Sequence, residues 1–255
     1  MSEATSYQRL REHPAYLGLT AAAEHLAVEL DGALTEHRSP TQVLERLLEP
    51  EVEATRARRL RGRLRFAHFP GHKTLGGFDF DFQPDLDRKL VAELSTLRFV
   101  EDRRNVLLLG PPGVGKTHLA IALGIAATEA GYRTCFTSAA DPVHALQAAH
   151  LEGTVAYKLR TYLSPSVPVI DELGYLPLDQ ASATWIFQVV SRRADRGSII
   201  LTSNRGFADW GPVFADPVVA AAIVDRLLGS ATVLNIRGRS YRMRAYHAQQ
   251  RAASA

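Results

Sequence analysis

Eight residues, Gly110-Pro111-Pro112-Gly113-Val114-Gly115-Lys116-Thr117, stand between the apolar run Val106-Leu107-Leu108-Leu109 and the helix-prone segment His118-Leu119-Ala120-Ile121-Ala122-Leu123. Nothing else in the chain restricts the fold as much. The glycines let consecutive backbone N–H groups turn inward around an anion, and the helix that follows adds the positive end of its dipole. A lysine at the seventh position reaches β- and γ-phosphates, and the adjacent threonine hydroxyl is a hard oxygen ligand for Mg²⁺. Such a loop works only between a strand and a helix, and both are present. Gly110 to Thr117, with His118 next to them, are therefore read as an ATP site, with Thr117 toward the metal.

A loop of this kind needs a parallel sheet behind it, and the rest of the chain supplies the alternation. A helix is expected from Asp85 to Phe99, a strand from Asn105 to Leu109, a helix from Gly115 to Ala130 and a strand from Arg133 to Thr137. Helices at Pro142–Leu151 and Thr154–Leu163, a strand at Val167–Asp171, a helix at Asp179–Arg193 and a strand at Ser198–Ser203 follow. Parallel neighbours require crossover connections, so helices must cover both faces. A helix at Pro217–Leu228 and a fifth strand at Ala231–Ile236 complete the α/β reading.

The chain ahead of this pattern reads differently. Thr20 to Leu30 has helical spacing, and Ser39-Pro40-Thr41-Gln42 carries an N-cap, a proline at the first position and a glutamine closing a capping box. Residues 1–66 are expected to be a module of two or three short helices contacting DNA or other subunits. Residues 67–84, punctuated by Gly and Pro, are expected to be a linker lying on the next domain through its Phe residues. The ATPase domain is assigned to 85–244 and a disordered tail to 245–255. The lone Cys135 excludes an intramolecular disulfide and a cysteine metal site. His68 and His72 are separated by Pro70 and Gly71, which break any helix that would align them on a metal. With no apolar leader and no long apolar span, a soluble protein of the bacterial cytoplasm is expected, without membrane contact.

Val167-Pro168-Val169-Ile170-Asp171-Glu172 is read as the second half of the site, with Asp171 holding Mg²⁺ and Glu172 polarising the attacking water. Pro168 removes one ladder donor from that strand. Asn204, after Ser198–Ser203, is read either as an amide orienting the water or as an ordinary turn residue. Arg226 is either an arginine finger for a neighbouring subunit or a cation at a helix C-terminus. Lys116, Glu172, Asn204 and Arg226 form the catalytic set.

Together these residues resemble the AAA+ ATPases, and among them the helicase-loader branch containing the DnaC-type loaders and the IstB-type transposition helpers of bacterial insertion sequences. The IstB-like match covers Phe69-Pro70, Phe78-Asp79-Phe80, Ile170 to Tyr175, Ser203-Asn204-Arg205, Asp209-Trp210-Gly211, Phe214, Asp216-Pro217, Ala221 to Leu227 and Ile236 to Arg242. The resemblance implies an AAA+ type P-loop ATPase with a five-stranded parallel sheet. It also implies a homo-oligomer that hydrolyses ATP, binds and deforms double-stranded target DNA, and recruits and stimulates its cognate transposase. Only 29 residues follow Arg226, too few for a full helical lid. A DnaC-like helicase loader and a small-molecule kinase are the alternatives.

Arginine outnumbers lysine 26 to 4, a bias that GC-rich codon usage also produces, but two local concentrations remain. Arg56, Arg58, Arg59, Arg61, Arg63 and Arg65 fall within ten positions, and no acidic residue follows Asp225 although Arg239 and Arg242 do. These two groups are the candidate contacts with DNA phosphates; the alternative is a solvated basic face.

Overall fold

A computed structural model describes residues 3–244, except 176, 177, 179, 195 and 215; the tail expected at 245–255 lies outside them. The chain divides into two compact units, residues 1–62 and 63–255.

The first unit contains α1 (Glu3–Tyr16), α2 (Thr20–Thr35) and most of α3 (Pro40–Ala67). The expectation of short helices is corrected by α3, which is 28 residues long and passes through Pro50. Its start follows the sequence signal: the Ser39 N–H donates to Gln42 Oε1 at 2.9 Å, and the Gln42 N–H donates to Ser39 Oγ at 3.4 Å. Leu19 offers α2 no capping side chain. Glu51 caps it from α3 instead, accepting from the Ala21 N–H at 2.8 Å and the Ala22 N–H at 3.4 Å. Glu51 is buried for that reason.

The second unit is built on five parallel strands in the order β2-β3-β4-β1-β5: β1 (Asn105–Leu109), β2 (Thr134–Ser138), β3 (Val167–Leu173), β4 (Ile200–Ser203) and β5 (Ala231–Asn235). Its helices are α4 (Arg88–Ser95), α5 (Arg98–Glu101), α6 (Lys116–Glu129), α7 (Ala140–Leu151), α8 (Val155–Leu163), α9 (Gln180–Arg193) and α10 (Pro217–Leu228). Side chains alternate across a strand, so β1 serves two cores. Val106 and Leu108 pack with Leu119 and Leu123 of α6, whereas Leu107 packs with Leu201, Trp210, Phe214 and Ile223 on the other face. Every β1 residue is buried, as a central strand covered on both sides must be.

Two local expectations meet physical limits. The single helix expected from Asp85 to Phe99 is two helices, because Leu97 takes a left-handed φ of 62° between α4 and α5. Asp87 starts α4 by accepting from the Lys89 and Leu90 N–H groups. Pro168 does lie in a central strand, paired with Cys135 of β2. The Val167 N–H points to β2, where it donates to Arg133 O. By alternation the donor lost at Pro168 is on the β4 side, where pairing starts only at Val169. The proline therefore costs that ladder little.

Because Leu107 is fully buried at the centre of the sheet, Leu107→Ala should cost about 2–5 kcal/mol of stability. A urea unfolding curve followed by circular dichroism measures it.

Candidate functional site

The C-terminal ends of β3, β4 and β1 lie side by side, which brings Asp171, Asn204 and the Gly110–Thr117 loop to one edge of the sheet. A cleft of about 760 Å³ opens there, a size that suits a nucleotide.

The loop wraps tightly because its glycines take positive φ: 147° at Gly110, 81° at Gly113 and 101° at Gly115. A Cβ on Gly115 would come within 2.5 Å of the Phe78 ring, so the position is closed to other residues by contact as well as by conformation. Lys116 opens α6 and donates from Nζ to Gly110 O at 2.7 Å and Pro111 O at 2.8 Å. Burial pushes its pKa down; Asp171 opposes this, Arg242 adds to it and Glu172 opposes it. The lysine thus stands in a field of both signs, with Arg242 as the second cation. Arg242 lines the cleft.

Buried Asp171 is held by two hydroxyls. Thr117 Oγ1 donates to it at 3.0 and 3.1 Å, and Thr202 Oγ1 donates to its Oδ1 at 2.5 Å. Thr202 also accepts the Glu172 N–H at 2.9 Å. The β3–β4 register shifts between Ile170 and Leu173, and Glu172 within that irregularity has a left-handed φ of 61°. A bulge re-aims the side chain it carries, and here the exposed Glu172 lines the cleft while Asp171 stays buried. The two neighbouring carboxylates thereby acquire different surroundings. The oxygens of Thr117 and Asp171 fit a hard divalent cation. Asn204 also lines the cleft, and its Oδ1 is buried with no partner among the described residues, an acceptor suited to a water O–H.

Two segments frame the loop. In the segment 73–83, Thr74 O contacts His118 Nε2 at 2.8 Å, and the Phe78 ring meets the His118 ring edge-on. Beyond β5 the chain forms a strap. The Ile236 N–H donates to Leu109 O at 2.7 Å, the Tyr241 N–H to Gly113 O at 2.9 Å, and Gln83 Nε2 to Arg239 O at 3.0 Å. Tyr241 packs edge-on against Phe82, and Arg244 pairs with Asp79 at 3.0 Å. Among the described residues this strap, not a helical lid, follows the sheet. Thr202 and Gln83 carry no role in the sequence reading; the hydroxyl run Thr202-Ser203 at a strand end is the signal that pointed to the first of them.

Arg226 does not line the cleft. Its guanidinium lies 4.8 Å from the centre of the Phe187 ring, and its Nη1 donates to Ala222 O at 3.1 Å. In the first unit, Arg56 and Arg59 point about 60° apart on α3, with Arg58 and Arg61 on the opposite side, by helical geometry. Arg58 pairs with Glu51 at 3.2 Å. In the second unit, Arg63 Nε donates to Thr128 O at 3.1 Å, and Arg65 and Arg239 are exposed. Arg56, Arg58, Arg59 and Arg61 of the first unit therefore do not share one helix face.

The profile of the IstB-like ATP binding protein family matches residues 14–249. The chain is 42% identical over 243 residues to the ATP-binding protein of insertion sequence IS5376 from Geobacillus stearothermophilus, covering 95% of this chain and 97% of that one. It is 46% identical over 220 residues to the ATP-binding protein of insertion sequence IS21 from Pseudomonas aeruginosa, covering 86% and 83%. Among solved structures, DnaA from Aquifex aeolicus bound to AMPPCP superposes with a TM-score of 0.55 at 24% identity, over 67% of this chain and 51% of that one. DnaI superposes with a TM-score of 0.53 at 21% identity, over 71% and 92%. These superpositions identify the AAA+ P-loop fold. No described helix is long and apolar enough to cross a membrane.

Thr202→Val keeps the shape of the side chain but strands the Glu172 N–H and frees one Asp171 oxygen. A stability loss of about 1–3 kcal/mol is expected, together with weaker ATP binding in Mg²⁺ and unchanged binding in EDTA. Thr202→Ser should restore both. Thermal melts and fluorescent-nucleotide titrations check the pair.

Proposed function

The chain belongs to the IstB-like ATP-binding family of insertion sequences, and from that membership we propose that it hydrolyses ATP as the switch of a DNA-bound assembly serving its element's transposase in the bacterial cytoplasm. The observation that carries hydrolysis is the bulge at Glu172. It leaves one carboxylate, Asp171, buried between two hydroxyls, and turns the next one into the nucleotide cleft.

Lys116 and the loop N–H groups bind and orient the β- and γ-phosphates. Thr117 and Asp171 would hold Mg²⁺, which when bound offsets phosphate charge. Glu172 accepts a proton from the attacking water, and Asn204 Oδ1 orients that water by accepting a hydrogen bond from its other O–H. A γ-phosphate in the cleft would draw Lys116 off the Gly110 and Pro111 carbonyls, coupling loop geometry to the nucleotide state. Arg226 is proposed as a finger acting on a neighbouring subunit's site, since it is absent from the lining of its own. The exposed α3 arginines and Arg239 are the proposed contacts with double-stranded DNA, made through phosphates and therefore weakly sequence-specific. DNA deformation and transposase recruitment complete the proposal.

Lys116→Ala should abolish ATP binding, whereas Glu172→Gln should retain it, lose turnover and accumulate an ATP-bound homo-oligomer. Steady-state ATPase rates with and without duplex DNA, read beside light scattering, test the assembly. Turnover indifferent to DNA in a protein that stays monomeric with ATP would sink the transposition reading. Mixing Arg226→Ala with Glu172→Gln subunits should partly restore turnover only if the finger acts between subunits.

A further inference from the structure

Among the residues lining the nucleotide cleft, Asn204 and Gln83 each hold a side-chain oxygen that is buried with no partner among the described residues. Water can use the first. The second calls for a different donor.

Gln83 closes a turn in which its N–H donates to Phe80 O at 3.2 Å, and the residue is 2% exposed. Its side chain crosses from the segment 73–83 to the strap, where Nε2 donates to Arg239 O at 3.0 Å. A carbonyl can only accept, so the amide cannot be turned over, and the orphaned atom must be Oε1. Gly238 stands against that oxygen, and a Cβ there would collide with it. Any side chain at 238 would fill the space before Oε1; glycine keeps it clear. A buried carbonyl oxygen without a donor is costly, and one kept on the wall of a ligand cleft is an acceptor for the ligand.

The phosphate loop decides which part of a nucleotide meets Gln83. Lys116 and Thr117 take the phosphates, and the wall beside them carries Glu172, Thr202 and Asn204. The rest of the lining comes from the segment 73–83, from Ile121 of α6, and from Tyr241 and Arg242 of the strap. Phe78 and Ile121 give that part apolar surface on which a base can lie. Gln83 bridges the two segments that frame it.

We propose that Gln83 reads the base: its Oε1 accepts from the 6-amino group of adenine and so makes the cleft selective for adenine over guanine nucleotides. This rests on the nucleotide reading of the cleft given above. Guanine carries an oxygen at the same ring position, which would set two acceptors against each other in a buried setting. A base with hydrogen there makes no bond and leaves Oε1 unpaired.

The test uses the full chain and diphosphates, which are not turned over: ADP, GDP and purine riboside diphosphate, whose base has hydrogen in place of the 6-amino group. In calorimetric titrations the wild-type protein should bind purine riboside diphosphate about tenfold more weakly than ADP, and GDP more weakly still. Gln83→Met keeps the length of the side chain and removes both polar atoms. It should bring ADP to within about twofold of purine riboside diphosphate. If Gln83 only anchors the strap through Arg239, the variant weakens all three ligands by one factor and the preference for ADP stays; that result overturns the proposal. Wild-type protein that binds ADP and purine riboside diphosphate alike also overturns it, without any variant, and leaves the ATP reading intact. Wild-type protein that binds neither these diphosphates nor ATP overturns both.

Discussion

The Thr202 hydroxyl stands between two consecutive carboxylate-bearing residues, donating to Asp171 and accepting from the backbone of Glu172. Through Asp171 and Thr117 it also connects β4 and β3 to the first turn of α6. At the C-terminal edge of the sheet three elements are therefore locked by two hydroxyls and one carboxylate. In a buried setting such a network is worth more than its exposed equivalent, and leaving one member unpaired is costly. The bulge at Glu172 depends on this lock, because the Thr202 oxygen receives the N–H that the irregular register withdraws from the ladder.

A second constraint is the closeness of chain to chain around the phosphate loop. Gly110 lies against the backbone of Ile236, Gly113 against Ser240, and Gly238 against Gln83; a Cβ at any of them would collide. This close packing lets residues 236–244 press on the loop that a lid would otherwise cover. It also explains why Arg242 faces Lys116. Tyr241 and Arg244 are held by Phe82 and Asp79, so the arginine between them is carried into the cleft.

Much of this was legible from one dimension. The phosphate loop is a local device, with its glycines, lysine and threonine adjacent in the chain, and the succession of buried runs between helices leaves few topologies. The capping box at Ser39 and Asp171 at a strand end were equally local. What escaped was of longer range. Thr202 looks like any strand threonine until β4 is set beside β3, and the left-handed Leu97 that splits the first helix has no glycine or asparagine to announce it.

The sequence by itself determined that the chain binds ATP in a parallel α/β scaffold, because a phosphate loop and alternating buried strands act through neighbours in the chain and through periodicity. Only the tertiary structure decided which carboxylate is buried and which faces the cleft. It alone set the Thr202 hydroxyl between Asp171 and the Glu172 backbone. The reason is physical: charge and hydrogen bonding act through space over a few ångströms, and the chain brings those partners together only when its strands pair.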